Sequence, residues 1–188
     1  MNDAGPLHEQ GQRYVFRLAV LASGSGTNLQ AIIDQLHKRP ASGAAAPVIE
    51  VALVISDVPG ARALERARAA GIPTAVFPSA NYKTRAEHDL DMDAAIDTAE
   101  ADLVILAGYM RLVSPEFVRR LPGRIINLHP AILPSFPGTT SISDAVHYGV
   151  KVTGVTVHFV DEGLDTGPII AQEPVRVEEG DTPESLAA

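Results

Sequence analysis

The chain has 188 residues, 46% of them apolar, and carries a formal net charge of −8. That length supports one globular domain with a real core, and that charge argues against general affinity for nucleic acid or an anionic membrane surface while still allowing a local site for a phosphorylated small molecule. The absence of cysteine excludes a disulfide framework, a thiolate nucleophile and a thiolate metal site, and fits a cytoplasmic protein.

Residues 1–13 are polar and carry Asp3 and Glu9. They lack the basic and long apolar regions of a signal peptide and read as a disordered tail. No run approaches the roughly 18 apolar residues of a membrane span, so no membrane partner is expected. Phe16–Ala22 is a short apolar run ending in Gly-Ser-Gly, which predicts a strand. Thr27–Lys38 places Leu29, Ile32, Ile33 and Leu36 at helical spacing. Val48–Ile55 predicts a second strand. Gly60–Ala70 predicts a helix closed by Gly71, and Thr74–Phe77 a short third strand. Thr84–Ala99 predicts a helix with its acids exposed. Asp102–Ala107 is a fully apolar buried strand. Ser114, Pro115 and Glu116 open a short helix, with Ser as N-cap and Pro at the first position.

Arg124–Leu128 predicts the next strand, and Pro130, which cannot donate to a ladder, ends it. Beyond it lie a loop rich in Pro and Gly, a short helix near Ser143–Tyr148, and two strand-like runs, Val152–Val160 and Pro168–Val177, able to pair antiparallel. Asp181 to Glu184 carries the signals of a helix start. The chain stops soon after, and a further C-terminal segment is expected. Strands alternating with helices imply a mostly parallel α/β sheet.

Three places could carry chemistry. The turn Ser23-Gly24-Ser25-Gly26-Thr27-Asn28 joins a strand to a helix N-terminus, whose free N–H groups and positive dipole end suit an anion. No Lys follows as in a P-loop, and Leu29 stands where a dinucleotide fingerprint needs its third glycine. Asn127 and His129 are two apart on a strand, so they share a face at its C-terminal lip. An amide there donates to a developing oxyanion, and an imidazole moves a proton near neutral pH. The loop Asp161–Gly167 brings Asp161, Glu162 and Asp165. Their spacing matches no EF-hand and no H-E-x-x-H helix, so no metal is expected; a carboxylate partner for His129 is the better reading. Met110, Leu112 and Val113 follow a buried strand and read either as core or as the wall of a flat apolar ligand. His158 reads as a buried, hydrogen-bonded histidine. His8, His37, His88 and His147 fall in segments expected at the surface. Gly24-Ser25-Gly26 is too short for a nucleophile elbow, which excludes a serine hydrolase.

Together the stretches 22–32 (ASGSGTNLQAI), 106–111 (LAGYMR), 127–138 (NLHPAILPSFPG) and 154–168 resemble, in that order, the folate-dependent phosphoribosylglycinamide formyltransferases. The resemblance covers residues 16–186, the whole globular region. It implies a Rossmann-like formyltransferase fold, a mostly parallel twisted sheet with helices on both faces and an antiparallel C-terminal part. It implies formyl transfer from 10-formyltetrahydrofolate to the amine of glycinamide ribonucleotide, with no metal, in a monomer or a homodimer. By the same resemblance, Asn127, His129 and Asp165 match the catalytic trio. Gly26, Thr27 and Asn28 match the ribonucleotide phosphate site. Arg85, Met110, Arg111, Leu112 and Val113, with Asn127, Asp161 and Asp165, match the folate site. The sequence departs from the pattern at Thr140, where the family usually carries histidine. Two sister families fit less well: a formyltetrahydrofolate hydrolase would carry His in place of Pro130, and a methionyl-tRNA formyltransferase would carry Arg near Phe136. A binding module without turnover is the rival of a different class.

Overall fold

A computed structural model describes residues 14–42 and 46–187; the tail expected over residues 1–13 lies outside the described residues. The strands are β1 (Val15–Leu21), β2 (Arg39–Pro40), β3 (Val48–Ser56), β4 (Thr74–Val76), β5 (Leu103–Leu106), β6 (Ile125–His129), β7 (Val152–Phe159) and β8 (Ile169–Arg176). The helices are α1 (Thr27–Leu36), α2 (Arg62–Ala69), α3 (Arg85–Thr98), α4 (Pro115–Arg120), α5 (Ser141–Tyr148) and α6 (Pro183–Leu186). Every predicted element is present within two residues of its expected ends. The strand β2 was not expected. It is two residues long, too short for a period, and exists through pairing with Val48 and Ile49.

The sheet order is β2-β3-β1-β5-β6-β7-β8, with β4 also on β3. Strands β4, β3, β1, β5 and β6 run parallel, and β7 and β8 pair antiparallel at one end. The mixed sheet expected from the two C-terminal runs is therefore present. Both faces of the parallel part are covered, which is why its strands read as continuous apolar runs rather than alternating ones. In β1, Leu18 and Val20 pack with Leu29 of α1 and Ala63, Leu64 and Ala67 of α2. Ala19 and Leu21 point the other way, to Met92 and Ile96 of α3 and Phe117 of α4.

Phe117 is 1% exposed and is among the largest fully buried side chains. Phe117→Ala is expected to cost about 3–5 kcal/mol of stability, read as a fall in the denaturant midpoint at unchanged slope.

Two expectations about α3 are corrected. His88 is buried, and so are Asp89 and Asp93, not exposed. His88 Nδ1 lies 3.1 Å from Asp89 Oδ1, and its Nε2 lies 2.9 Å from the Phe77 carbonyl oxygen. Arg120 donates to Asp93 Oδ2 at 2.8 Å. Buried charge survives where it is paired and hydrogen-bonded, and a hydropathy pattern cannot see the partner.

Candidate active site

The strand order changes direction at β1: β3 lies on one side and β5 on the other. Open α/β sheets bind ligands in the crevice outside the carboxyl ends of such strands. Here the crevice is a cleft of about 620 Å³, lined by the segments that follow β1, β5 and β6 and by the loop between β7 and β8.

The turn after β1 forms one end. Gly26 is the N-cap of α1 with φ +70°, and no side chain caps the helix. The first N–H groups of α1 therefore remain available to a ligand. Of the two glycines of this turn, Gly26 takes a positive φ and Gly24 does not. A Cβ at Gly26 would sit 2.7 Å from the Ala63 Cα of α2, so the close approach is helix against turn. Gly26→Ala combines that clash with about 1–2 kcal/mol of left-handed strain. It is expected to lower Tm by roughly 2–8 °C or more, while Gly24→Ala, with nothing within 4 Å of its Cβ, leaves Tm nearly unchanged. Thr27 and Asn28 are exposed at the same turn and line the cleft.

The segment after β5 forms a second wall. Met110 is 63% exposed and Leu112 53% exposed. These two side chains are therefore not core, and both line the cleft. Val113 packs partly on the core yet also lines the cleft, as do Arg111 and Arg85. Tyr109 is buried, and burial first, then the carboxylates of Asp57 and Asp89, push its phenol well above the usual range. It stays protonated and donates toward Met92 Sδ at 3.6 Å.

Between these walls lies a polar cluster. Asn127 and His129 share a face at the end of β6, as their spacing requires, and Asp165 faces both. His129 Nδ1 is 3.5 Å from Asp165 Oδ2. The Asn127 amide nitrogen is 3.4 Å from Asp165 Oδ1. Asp165 adopts φ +54°, and the Gly138 N–H donates to its Oδ2 at 2.7 Å, which turns the carboxylate back into the cluster. The loop Asp161–Gly167 is braced by Asp161, whose Oδ1 accepts the Gly163 N–H at 3.0 Å and the Thr166 hydroxyl at 2.8 Å. Asp161 also lines the cleft.

Three participants were not assigned a role from the sequence. The first is the Phe136 carbonyl oxygen, 2.8 Å from His129 Nε2. A carbonyl only accepts, so Nε2 carries the hydrogen and Nδ1 is left as the nitrogen that exchanges a proton. Phe136 has φ +54°, and its loop is held by Thr156, whose hydroxyl donates to the Ala131 carbonyl at 2.7 Å and accepts the Leu133 N–H at 3.1 Å. The second is the Gly138 N–H. The third is His158. It is buried and hydrogen-bonded as expected, but it joins the cluster, with Nε2 3.3 Å from the Asn127 amide nitrogen and 3.5 Å from Asp165 Oδ1. Its position opposite Asn127 follows from the β6–β7 register, which no local pattern reveals. Thr140, the departure noted above, donates to Asp144 Oδ2 at 2.7 Å at the start of α5.

Among the described residues no group of three or more His, Cys, Asp or Glu side chains is placed to hold a metal ion. No helix among them is long and apolar enough to cross a membrane.

A family model described as formyl transferase matches residues 16–188. The chain is 41% identical over 170 residues to a phosphoribosylglycinamide formyltransferase of Bacillus subtilis (strain 168), covering 90% of this chain and 84% of that protein. It is 44% identical over 182 residues to the trifunctional purine biosynthetic protein adenosine-3 of Gallus gallus, covering 96% of this chain and 18% of that longer protein. Among solved structures it is similar to glycinamide ribonucleotide transformylase 1 from Symbiobacterium toebii, with a TM-score of 0.84 and 43% identity over 99% of this chain and 84% of that one. The chain belongs to the formyl transferase family, among the phosphoribosylglycinamide formyltransferases.

Proposed function

We propose that the chain moves the formyl group of 10-formyltetrahydrofolate to the amine of glycinamide ribonucleotide. The observation that carries this reading is the placement of the Asn127–His129–Asp165 cluster between an uncapped helix N-terminus and an exposed apolar loop. The phosphate of the ribonucleotide would take the N–H groups at Gly26, Thr27 and Asn28. The folate would lie on Met110–Val113, with Arg85, Arg111 and Asp161 at its edges.

The amine nitrogen attacks the formyl carbon, a C–N bond forms and negative charge gathers on the formyl oxygen. The Asn127 amide N–H donates to that oxygen, and a protonated His129 adds positive charge beside it. His129 then gives its Nδ1 proton to N10 of the folate as the old C–N bond breaks, and the proton lost by the attacking nitrogen restores the imidazolium. Asp165 holds the imidazolium and the amide in their orientations, and no covalent enzyme intermediate is required. Bringing two substrates together in one cleft supplies much of the remaining acceleration.

The direct experiment is formyl transfer between these two substrates, followed by absorbance. Turnover is the expected result. Binding of both ligands without turnover would favour the binding-module reading instead.

A further inference from the structure

The backbone of Met110–Val113 runs between β5 and α4 outside any strand or helix, yet it forms one wall of the cleft. It is tied at both ends to carboxylates. At its start the Met110 N–H donates to Ser23 Oγ at 2.9 Å, and Ser23 Oγ donates to Asp57 Oδ1 at 2.6 Å. At its end the Ser114 N–H donates to Asp89 Oδ2 at 2.5 Å.

The second tie answers a specific need. Ser114 is the N-cap of α4 and its hydroxyl accepts the Phe117 N–H. A complete capping box would return a bond from the third helical residue to the N-cap N–H, using Glu or Gln. Here that residue is Phe117, which is spent on the core. The missing acceptor comes instead from another helix, as Asp89 of α3. Asp89 is itself fixed by His88, whose two ring nitrogens face Asp89 Oδ1 and the Phe77 carbonyl oxygen. A protonated ring satisfies both oxygens. One turn before Asp89, the same helix carries Arg85, which lines the same cleft.

We propose that Asp89, held by His88, is a positioning residue that pins the loop Met110–Val113 to α3 and so fixes the wall that receives the formyl donor. Asp89 touches neither substrate. The assignment of this wall to the donor rests on the function proposed above.

Asp89→Ala removes the acceptor, and the hollow beside Asp89, Leu90 and Ser114 gives water access to the vacated place. The variant is expected to raise KM for 10-formyltetrahydrofolate about tenfold, with kcat and the ribonucleotide KM within about twofold of the unaltered chain. Hydrogen exchange at the amides of 110–114 is expected to quicken, with β1 unchanged. Asp89→Asn keeps an acceptor oxygen for the Ser114 N–H and is expected to restore both readings. Ser114→Ala keeps the N–H and loses only the hydroxyl cap, so donor KM stays near that of the unaltered chain. If Asp89→Ala does not fold, His88→Ala carries the test, with smaller changes of the same sign. An unchanged donor KM, an equal rise in both KM values, or unchanged exchange at 110–114 would overturn the proposal. If the unaltered chain transfers no formyl group, the function reading fails, and the exchange measurement alone decides whether Asp89 holds the loop.

Discussion

His129→Ala is expected to lower kcat by about 10²–10⁴-fold while leaving ribonucleotide affinity within about threefold. The separation follows from where His129 sits. The Phe136 carbonyl takes the Nε2 hydrogen at 2.8 Å, so the proton that moves is on Nδ1, facing Asp165 at 3.5 Å. The other imidazole of the cluster, His158, faces the Phe159 carbonyl oxygen with Nδ1 at 2.9 Å and the Asn127 amide nitrogen with Nε2 at 3.3 Å. Asn127 has no labile proton to give near neutral pH, and Asp165 is occupied by the Gly138 N–H at 2.7 Å. The turn at Gly26–Asn28, proposed above for the phosphate, belongs to another loop, after another strand, and its geometry is set by packing against Ala63. Losing the imidazole therefore leaves the turn as it was. Steady-state kinetics with each substrate varied, together with calorimetric titration of the ribonucleotide, checks both halves. Equal losses in binding and in rate would mean that His129 shapes the ribonucleotide pocket and does not move the proton.

The parts of this molecule that local rules govern were legible in the sequence. The cap at Ser114 and the helix start at Thr182 are where the Ser/Thr and Pro signals put them, because a cap depends on three or four neighbours. Asn127 and His129 face the same way because strand geometry allows nothing else. The matters that were not legible depend on distant chain. His88 and Asp89 read as surface residues, since the partners that make their burial tolerable, the Phe77 carbonyl and the Ser114 N–H, lie 11 and 25 residues away along the chain. His158 enters the cluster through the register of β7 on β6. The Phe136 carbonyl reaches His129 only because the loop folds back at a residue with positive φ, and no residue type announces that for phenylalanine. Gly24 and Gly26 are alike in the sequence; the left-handed backbone at Gly26 and the position of α2 against it tell them apart.

Asn127 offers the second large effect, and its direction with two substitutions is informative. Asp165 is an acceptor, so the side of the Asn127 amide that faces it must be the NH₂ group. That nitrogen is 3.3 Å from His158 Nε2 and 3.4 Å from Asp165 Oδ1. Both contacts are at the long end for a hydrogen bond, enough to fix the amide plane but weak enough to yield a hydrogen to a stronger acceptor. An oxyanion forming on the formyl group is that acceptor. Asn127→Ala deletes the donor and is expected to cost about 10²–10³-fold in kcat, or ~2.7–4 kcal/mol, with little change in either KM. Asn127→Asp keeps the size and replaces the donor with a second carboxylate against Asp165. It places negative charge where the transition state gathers it, and the carboxylates compete for His129. The expected order of kcat is therefore Asn127, then Ala, then Asp, with the Asp variant at least tenfold below Ala. A donor that merely filled space would give the opposite order, since aspartate is the closer match in shape. Measuring kcat for the two variants side by side decides between these outcomes without any assumption about the absolute rate.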